Sequence, residues 1–187
     1  MRKVPFSICA LLVSLTLLLA AYGGEQHAAH TAVPVESSEA VYEPGAWREM
    51  TLTDARTKTE FKLSDFSGRV VILEMMDPGC PICKDQLKEI ASALEVVGDD
   101  AVAVSVDIGY KGEGALVKWA ETNNATWFVA FISRDFSQAL VSEFGGEVVY
   151  PGNTPVIIID PSGGAHVTDP GIKKATTLVE LVSQWAQ

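Results

Sequence analysis

The chain has 187 residues, 48% of them hydrophobic, and a formal net charge of −10. That length allows one domain with a sizeable core plus a tail. The acidic balance excludes nucleic acid as a natural partner, because phosphate binding needs a basic surface.

Residues 1–24 read as a signal peptide or membrane anchor. Arg2 and Lys3 supply a positive start, Phe6 to Ala21 is uncharged and mostly apolar, and small residues follow at Ala20, Ala21, Gly23 and Gly24. The run from Val4 to Tyr22 is long enough to span a bilayer with little to spare. Leu19 to Gly24 resembles a bacterial lipoprotein processing site, but Tyr22 stands where the lipidated cysteine would be. On either reading the remainder is exported, periplasmic or otherwise extracytoplasmic. Residues 25–45 are expected to be a flexible linker, rich in Ala, Glu, Ser, Val and Pro without sustained periodicity. His27 and His30 lie there as HxxH, too few ligands for a metal site by themselves.

Residues 46–187 form the expected domain. Met50 to Leu63 predicts a hairpin turning near Asp54-Ala55-Arg56. Leu63 to Gly68 is a turn into a strand over Arg69 to Met75, apolar on consecutive positions as a strand covered on both faces should be. A helix is predicted from Pro81 to about Val97, with Leu87, Ile90, Leu94 and Val97 on its inner stripe. Ala101 to Val106 is a second apolar strand, so this unit predicts a parallel pair joined by a crossover helix.

A polar, glycine-containing loop leads to a helix over Ala115 to Asn123, with Leu116, Trp119 and Ala120 inward. Trp127 to Ile132 reads as a strand. Phe136, Leu140, Val141 and Phe144 mark a helix stopped at Gly145-Gly146. Val156 to Ile159 and Ala165 to Val167 are strands joined by Asp160 to Gly164. Leu178, Leu181, Val182 and Trp185 stripe the last helix. Asn124-Ala125-Thr126 is a glycosylation sequon on a surface turn. There is no internal repeat.

The chain has three cysteines. Cys9 lies in the leader, so the domain holds only Cys80 and Cys83. A strand running into CxxC at a helix N-terminus is a redox arrangement with a mechanism. Cys80 falls at the helix boundary, with Pro81 at the first helical position, where its missing N–H costs nothing. The free N–H groups and positive dipole end there favour a thiolate. Cys80 is therefore the expected exposed, attacking sulfur. Cys83 lies on the buried stripe and is the expected resolving sulfur. A zinc site would need a second ligand pair. No second CxxC exists, and His27, His30 and His166 are scattered.

The order of elements and these motifs resemble the thioredoxin-like superfamily, and within it the TlpA/ResA-type exported thiol–disulfide oxidoreductases of the redoxin group. The resemblance rests on Leu63-Ser64-Asp65-Phe66-Ser67-Gly68 before Val70-Val71-Ile72-Leu73, on the CxxC, on Val104-Ser105-Val106-Asp107, and on Thr154-Pro155 before an apolar strand. It covers roughly Trp47 to Trp185 and is weakly specific to substrate. It implies an α/β thioredoxin-like fold, with a central mixed sheet flanked by helices and an N-terminal β-hairpin extension. It also implies a buried acid at Glu74, of raised pKa, that moves the proton of Cys83. Thr154-Pro155 is implied to be a cis-proline loop whose backbone at Thr154 pairs with a substrate strand.

The implied activity is disulfide exchange with protein thiols in the reducing direction, of the kind that keeps apocytochrome c cysteines reduced, with re-reduction by a membrane electron-carrier protein. It requires no cofactor. Three departures stand out. Gly79 replaces the usual aromatic before the first cysteine, Asp77 adds negative charge nearby, and the pair reads Cys-Pro-Ile-Cys. The alternatives are a Sco-like copper chaperone, which would need His166 beside the cysteines, and a peroxiredoxin, which would need Thr or Ser where Asp77 stands.

Overall fold

The structure is a computed structural model that describes residues 41–186. The expected leader 1–24, residues 25–40 of the linker, Cys9 and the His27/His30 pair lie outside the described residues.

Trp47 anchors the start. It is fully buried, meets Phe136 and Phe144 edge-on at 6.1 and 5.9 Å, and its indole N–H donates to Glu143 Oε2 at 2.8 Å. The same carboxylate accepts the Gly45 N–H, and the Tyr42 hydroxyl donates to Asp135. The stretch expected to end the linker is thus bonded into the domain from Tyr42 onward.

Strands β1 (Leu52–Thr53) and β2 (Glu60–Phe61) form the expected antiparallel hairpin. Asp54 holds its turn. The carboxylate accepts the N–H groups of Arg56 and Thr57, and reaches across to the N–H of Val129 at 3.0 Å.

The centre is β3 (Val70–Met76), buried at all seven positions. Helix α1 (Pro81–Val97) connects it to β4 (Ala101–Asp107), and the two strands pair in parallel. Next come α2 (Glu113–Thr122), β5 (Phe128–Phe131) and α3 (Arg134–Phe144). Ser133 caps α3 by accepting the Phe136 N–H. Gly145, at φ 84°, ends α3 in a conformation that costs glycine little. The chain finishes with β6 (Val156–Ile159), β7 (Ala165–Val167) and α4 (Ala175–Ser183).

The five-stranded sheet has the order β5-β4-β3-β6-β7 and is mixed: β3, β4 and β5 are parallel, while β6 and β7 run antiparallel to their neighbours. Alternation along β3 divides the core. Val70, Ile72 and Met76 pack with α1, α2 and α4, while Val71, Leu73 and Met75 pack with Trp47, the hairpin and α3. The hairpin bridges to β5 at Asp54–Ala130, which covers that edge of the sheet.

Two details differ from the sequence reading. On α3 it is Ala139 that is buried, while Val141 is 37% exposed, because an i, i+4 stripe leaves one member of an adjacent pair outside. Trp185 lies beyond the end of α4 and stacks on His166, with ring centroids 4.8 Å apart.

Candidate active site

The site is built at the C-terminal end of β3. Met76 closes the strand, and Asp77-Pro78-Gly79 turns the chain into α1. The Cys80 N–H donates to the Asp77 carbonyl at 2.9 Å, and Asp77 Oδ1 accepts the Gly79 N–H. Gly109, from the loop after β4, leaves room for that carboxylate, since a Cβ there would meet it at 2.4 Å. Cys80 is the N-cap of α1, with extended backbone and Pro81 following. No side chain caps the first turn. Its N–H groups and the dipole end therefore remain available to a negative sulfur.

Both cysteines are free thiols. Cys80 is half-buried and Cys83 fully buried. The thiols lie 3.9 and 3.7 Å from one acceptor, the carbonyl oxygen of Pro151. Burial first, and then hydrogen bonding with Cys80, pushes the Cys83 thiol well above the ordinary thiol range. Ile82, between the two cysteines in sequence, and Tyr150, next to Pro151, are both exposed.

Glu74 lies beneath the cysteines. Alternation puts its side chain on the same face of β3 as Ile72 and Met76, which is the face α1 and Cys83 cover. It is 1% exposed. One carboxylate oxygen accepts the Ser105 hydroxyl at 2.7 Å, and that hydroxyl oxygen in turn accepts the Trp127 indole N–H at 2.9 Å. The other oxygen, Oε1, has no hydrogen-bond partner. Burial raises the carboxyl to about 7, outweighing the opposing effects of Ser105 and the Lys173 charge.

Several members of this arrangement were missed in the sequence. Lys173 is buried, and its ammonium donates to the carbonyls of Thr154, at 2.9 Å, and of Gly171. Its burial lowers it to about 8, against the opposing charges of Asp169 and Glu74. Gln86, one turn after Cys83, clamps the Lys173 backbone through both its N–H and its C=O. Ser105 carried a readable signal: like Glu74, it is a lone polar residue in an apolar strand. Lys173 carried none, since it comes from an irregular loop near the far end of the chain.

Thr154 and Pro155 adjoin the site, but not in the expected form. There is no cis peptide bond among the described residues, so Thr154-Pro155 is trans. Thr154 takes the left-handed conformation, φ 44° and ψ 54°. A residue before proline is barred from the right-handed helical region, and this one also closes the short turn Pro151–Asn153. Its N–H donates to Pro151 and its C=O accepts from Lys173. The Pro155 carbonyl accepts the Met75 N–H. The backbone expected to pair with a substrate strand is therefore bonded internally.

His166 is not brought to the cysteines. It lies on β7, opposite Ile158, which itself pairs with Ile72 well back along β3. Its Nε2 is bonded to Asp160 at 2.9 Å. Among the described residues no group of three or more His, Cys, Asp or Glu side chains converges.

The model of the AhpC/TSA family matches residues 46–163, well over half of the chain. The chain belongs to the AhpC/TSA family. No curated protein matches it in sequence. Solved structures of similar fold include a secreted Mycobacterium tuberculosis disulfide oxidoreductase homologous to E. coli DsbE. That match has a TM-score of 0.61 at 11% identity and covers 74% of this chain and 98% of the other. A thiol:disulfide interchange protein of the thioredoxin family from Chlorobium tepidum gives 0.61 at 15% identity, over 74% and 93%. DsbF from MTB gives 0.59 at 16% identity, over 75% and 97%. These likenesses show a thioredoxin-like fold. The chain is thus an AhpC/TSA-family protein of thioredoxin-like fold.

Proposed function

We propose that this AhpC/TSA protein works outside the cytoplasm and reduces disulfides of protein substrates through Cys80 and Cys83. The observation that carries the reading is the pairing of a half-buried cysteine at an uncapped helix start with a buried cysteine above a buried, proton-retaining acid. The Cys80 thiolate attacks a substrate disulfide, forming a mixed disulfide and releasing one substrate thiolate. Cys83 passes its proton to Glu74 and attacks the Cys80 sulfur. This frees the second substrate thiolate and leaves the Cys80–Cys83 disulfide. A dithiol carrier in the membrane then returns two electrons.

The ionised form of Glu74 is the one that accepts the proton, and its raised pKa makes it a base matched to neutral pH. Thr154 and Pro155 support the site by fixing the loop that presents the Pro151 carbonyl to the sulfurs. The positive, apolar segment at residues 1–24 supports export. Apocytochrome c is the substrate implied by the TlpA/ResA resemblance.

The deciding measurement is the equilibrium reduction potential of the cysteine pair. A value near about −270 mV, as in thioredoxin, fits a reductant, whereas a value near about −120 mV refutes the reducing direction. In parallel, Cys83→Ser accumulates mixed disulfides and Cys80→Ser forms none. Full exchange activity in Cys80→Ser refutes the mechanism.

A further inference from the structure

Around Cys80 the charge runs against that of the whole protein. The chain has 24 acidic residues against 14 basic ones. Among the described residues, Lys58, Lys62, Lys88 and Lys174 are ion-paired with Glu113, Glu49, Asp85 and Glu89. Lys173 is buried. The lysines that remain, Lys84, Lys111 and Lys118, are exposed and make no ion pair among the described residues. All three line one open groove of about 410 Å³. Its apolar lining includes Pro78, Ala115 and Trp119.

The groove adjoins the reactive sulfur. Pro78 and Gly79 lead directly into Cys80, and Lys84 lies one helical turn after it. Lys111 and Lys118 come from the following loop and from α2. Three separate segments thus converge like charges on an apolar surface, which is unfavourable until an anion arrives. The acids of the adjoining turns, Asp77 and Asp107, are turned to the N–H groups of Gly79 and Gly109. Trp119 adds a second signal. The indoles of Trp47 and Trp127 both donate to side chains, but the Trp119 Nε1–H has no acceptor. Gly79, where the resemblance leads one to expect an aromatic residue, keeps the mouth open.

We propose that this groove is a substrate subsite for a polypeptide segment carrying carboxylates beside an apolar residue, next to the cysteine that Cys80 attacks. The proposal rests on the protein-disulfide reading above. The acidic flank meets the lysines while its apolar neighbour covers the partly exposed Pro78 and Ala115. An exposed ion pair is worth roughly a factor of 1.4 to 5, so two or three give about a tenfold preference.

The test uses the reduced full-length protein and three disulfide-bridged peptides, identical except for flanks of Asp-Leu-Asp, Ser-Leu-Ser or Lys-Leu-Lys. Second-order reduction rates are read by acid quench and chromatography. The acidic flank should be reduced about tenfold faster than the basic one at low salt, with the ratio approaching one at 0.5 M salt. Replacing Lys84, Lys111 and Lys118 together by Gln should bring the ratio within twofold, and replacing them by Glu should invert it. Lys62→Gln, the loss of one exposed lysine charge elsewhere, should leave the ratio as it was.

A wild-type ratio of one, or a preference that survives in the triple Gln protein, overturns the subsite while peptide reduction itself upholds the proposed function. A lysine-dependent preference confined to glutathione disulfide overturns the polypeptide occupant in favour of a small anionic disulfide. Failure to reduce any peptide or uncharged 2-hydroxyethyl disulfide overturns the proposed function and the subsite with it.

Discussion

Glu74→Gln should shift the stability of the reduced protein in favour of the variant as pH rises to neutrality, while slowing its chemistry. In the folded state burial lifts the Glu74 carboxyl from 4.5 to about 7. Between those values the unfolded chain has lost the proton and the folded chain keeps it, so stability falls as pH rises through that window. At 1.36 kcal/mol per pKa unit, the penalty reaches about 3 kcal/mol near pH 7.5 and is almost absent at pH 4. Gln keeps an acceptor for the Ser105 hydroxyl and buries an amide that does not titrate, which adds only a pH-independent offset.

The assay is denaturant unfolding of the reduced wild type and variant from pH 4 to 7.5, below the value of about 8 for Lys173. The stability difference should shift in favour of the variant by about 3 kcal/mol across that range. Parallel curves would refute the buried-acid reasoning. In the proposed mechanism the same substitution removes the acceptor for the Cys83 proton. Resolution of the mixed disulfide should slow by roughly 100-fold at pH 7.5, the usual scale for a lost general base.

Lys173→Met removes a charge that holds the Glu74 carboxyl down, so the acid limb of the pH profile for mixed-disulfide resolution should move upward; a downward move would contradict it. Asp54→Ala should cost roughly 3 kcal/mol in denaturant unfolding, since it strips acceptors from three N–H groups. Burial alone would raise the Asp54 carboxyl, but those donors hold it below its ordinary value of 3.8. Its stabilisation is therefore present above that pH and lost as acid protonates the folded form, and a variant whose deficit persists unchanged at lower pH would refute this. Trp47→Ala should cost roughly 3–5 kcal/mol, read as a lower denaturation midpoint. His166→Ala should leave both disulfide exchange and Cu(I) affinity unchanged; loss of copper binding would revive the copper-chaperone reading.

What the sequence revealed depended on how local each cause was. Val70 to Met76 is apolar on both faces because both faces are covered, and that requirement is written in consecutive residues. Pro81 and the stripe from Cys83 to Ile90 fix the start and inner face of α1 within a few turns. The hairpin was legible from its turn, but its docking on β5 through Asp54 was not, because that contact joins residues distant along the chain. Thr154-Pro155 before an apolar strand is readable in the sequence, yet its backbone conformation is set by bonds to Pro151 and Lys173 that no local pattern announces. The groove lysines escape for the same reason: Lys84, Lys111 and Lys118 become one feature only where the start of α1, the loop after β4 and α2 line one groove.

The buried polar residues make the case for where function sits. They are Asp54, Glu74, Gln86, Ser105, Asp107, Thr154, Asp160 and Lys173. Asp54 and Asp160 anchor turns through several donors and need no further reason. The others gather beneath or beside the cysteines. Glu74 pairs in register with Ser105, Asp107 pairs with Met76 at the strand end, and Gln86 and Thr154 both bond Lys173. Glu74 Oε1, Asp107 Oδ2 and Thr154 Oγ1 lack partners there. A core selected for stability alone would fill these positions with apolar side chains and gain several kcal/mol. Tolerating that loss around the C-terminal ends of β3 and β4 makes sense if a proton must be held, moved and returned beneath Cys83.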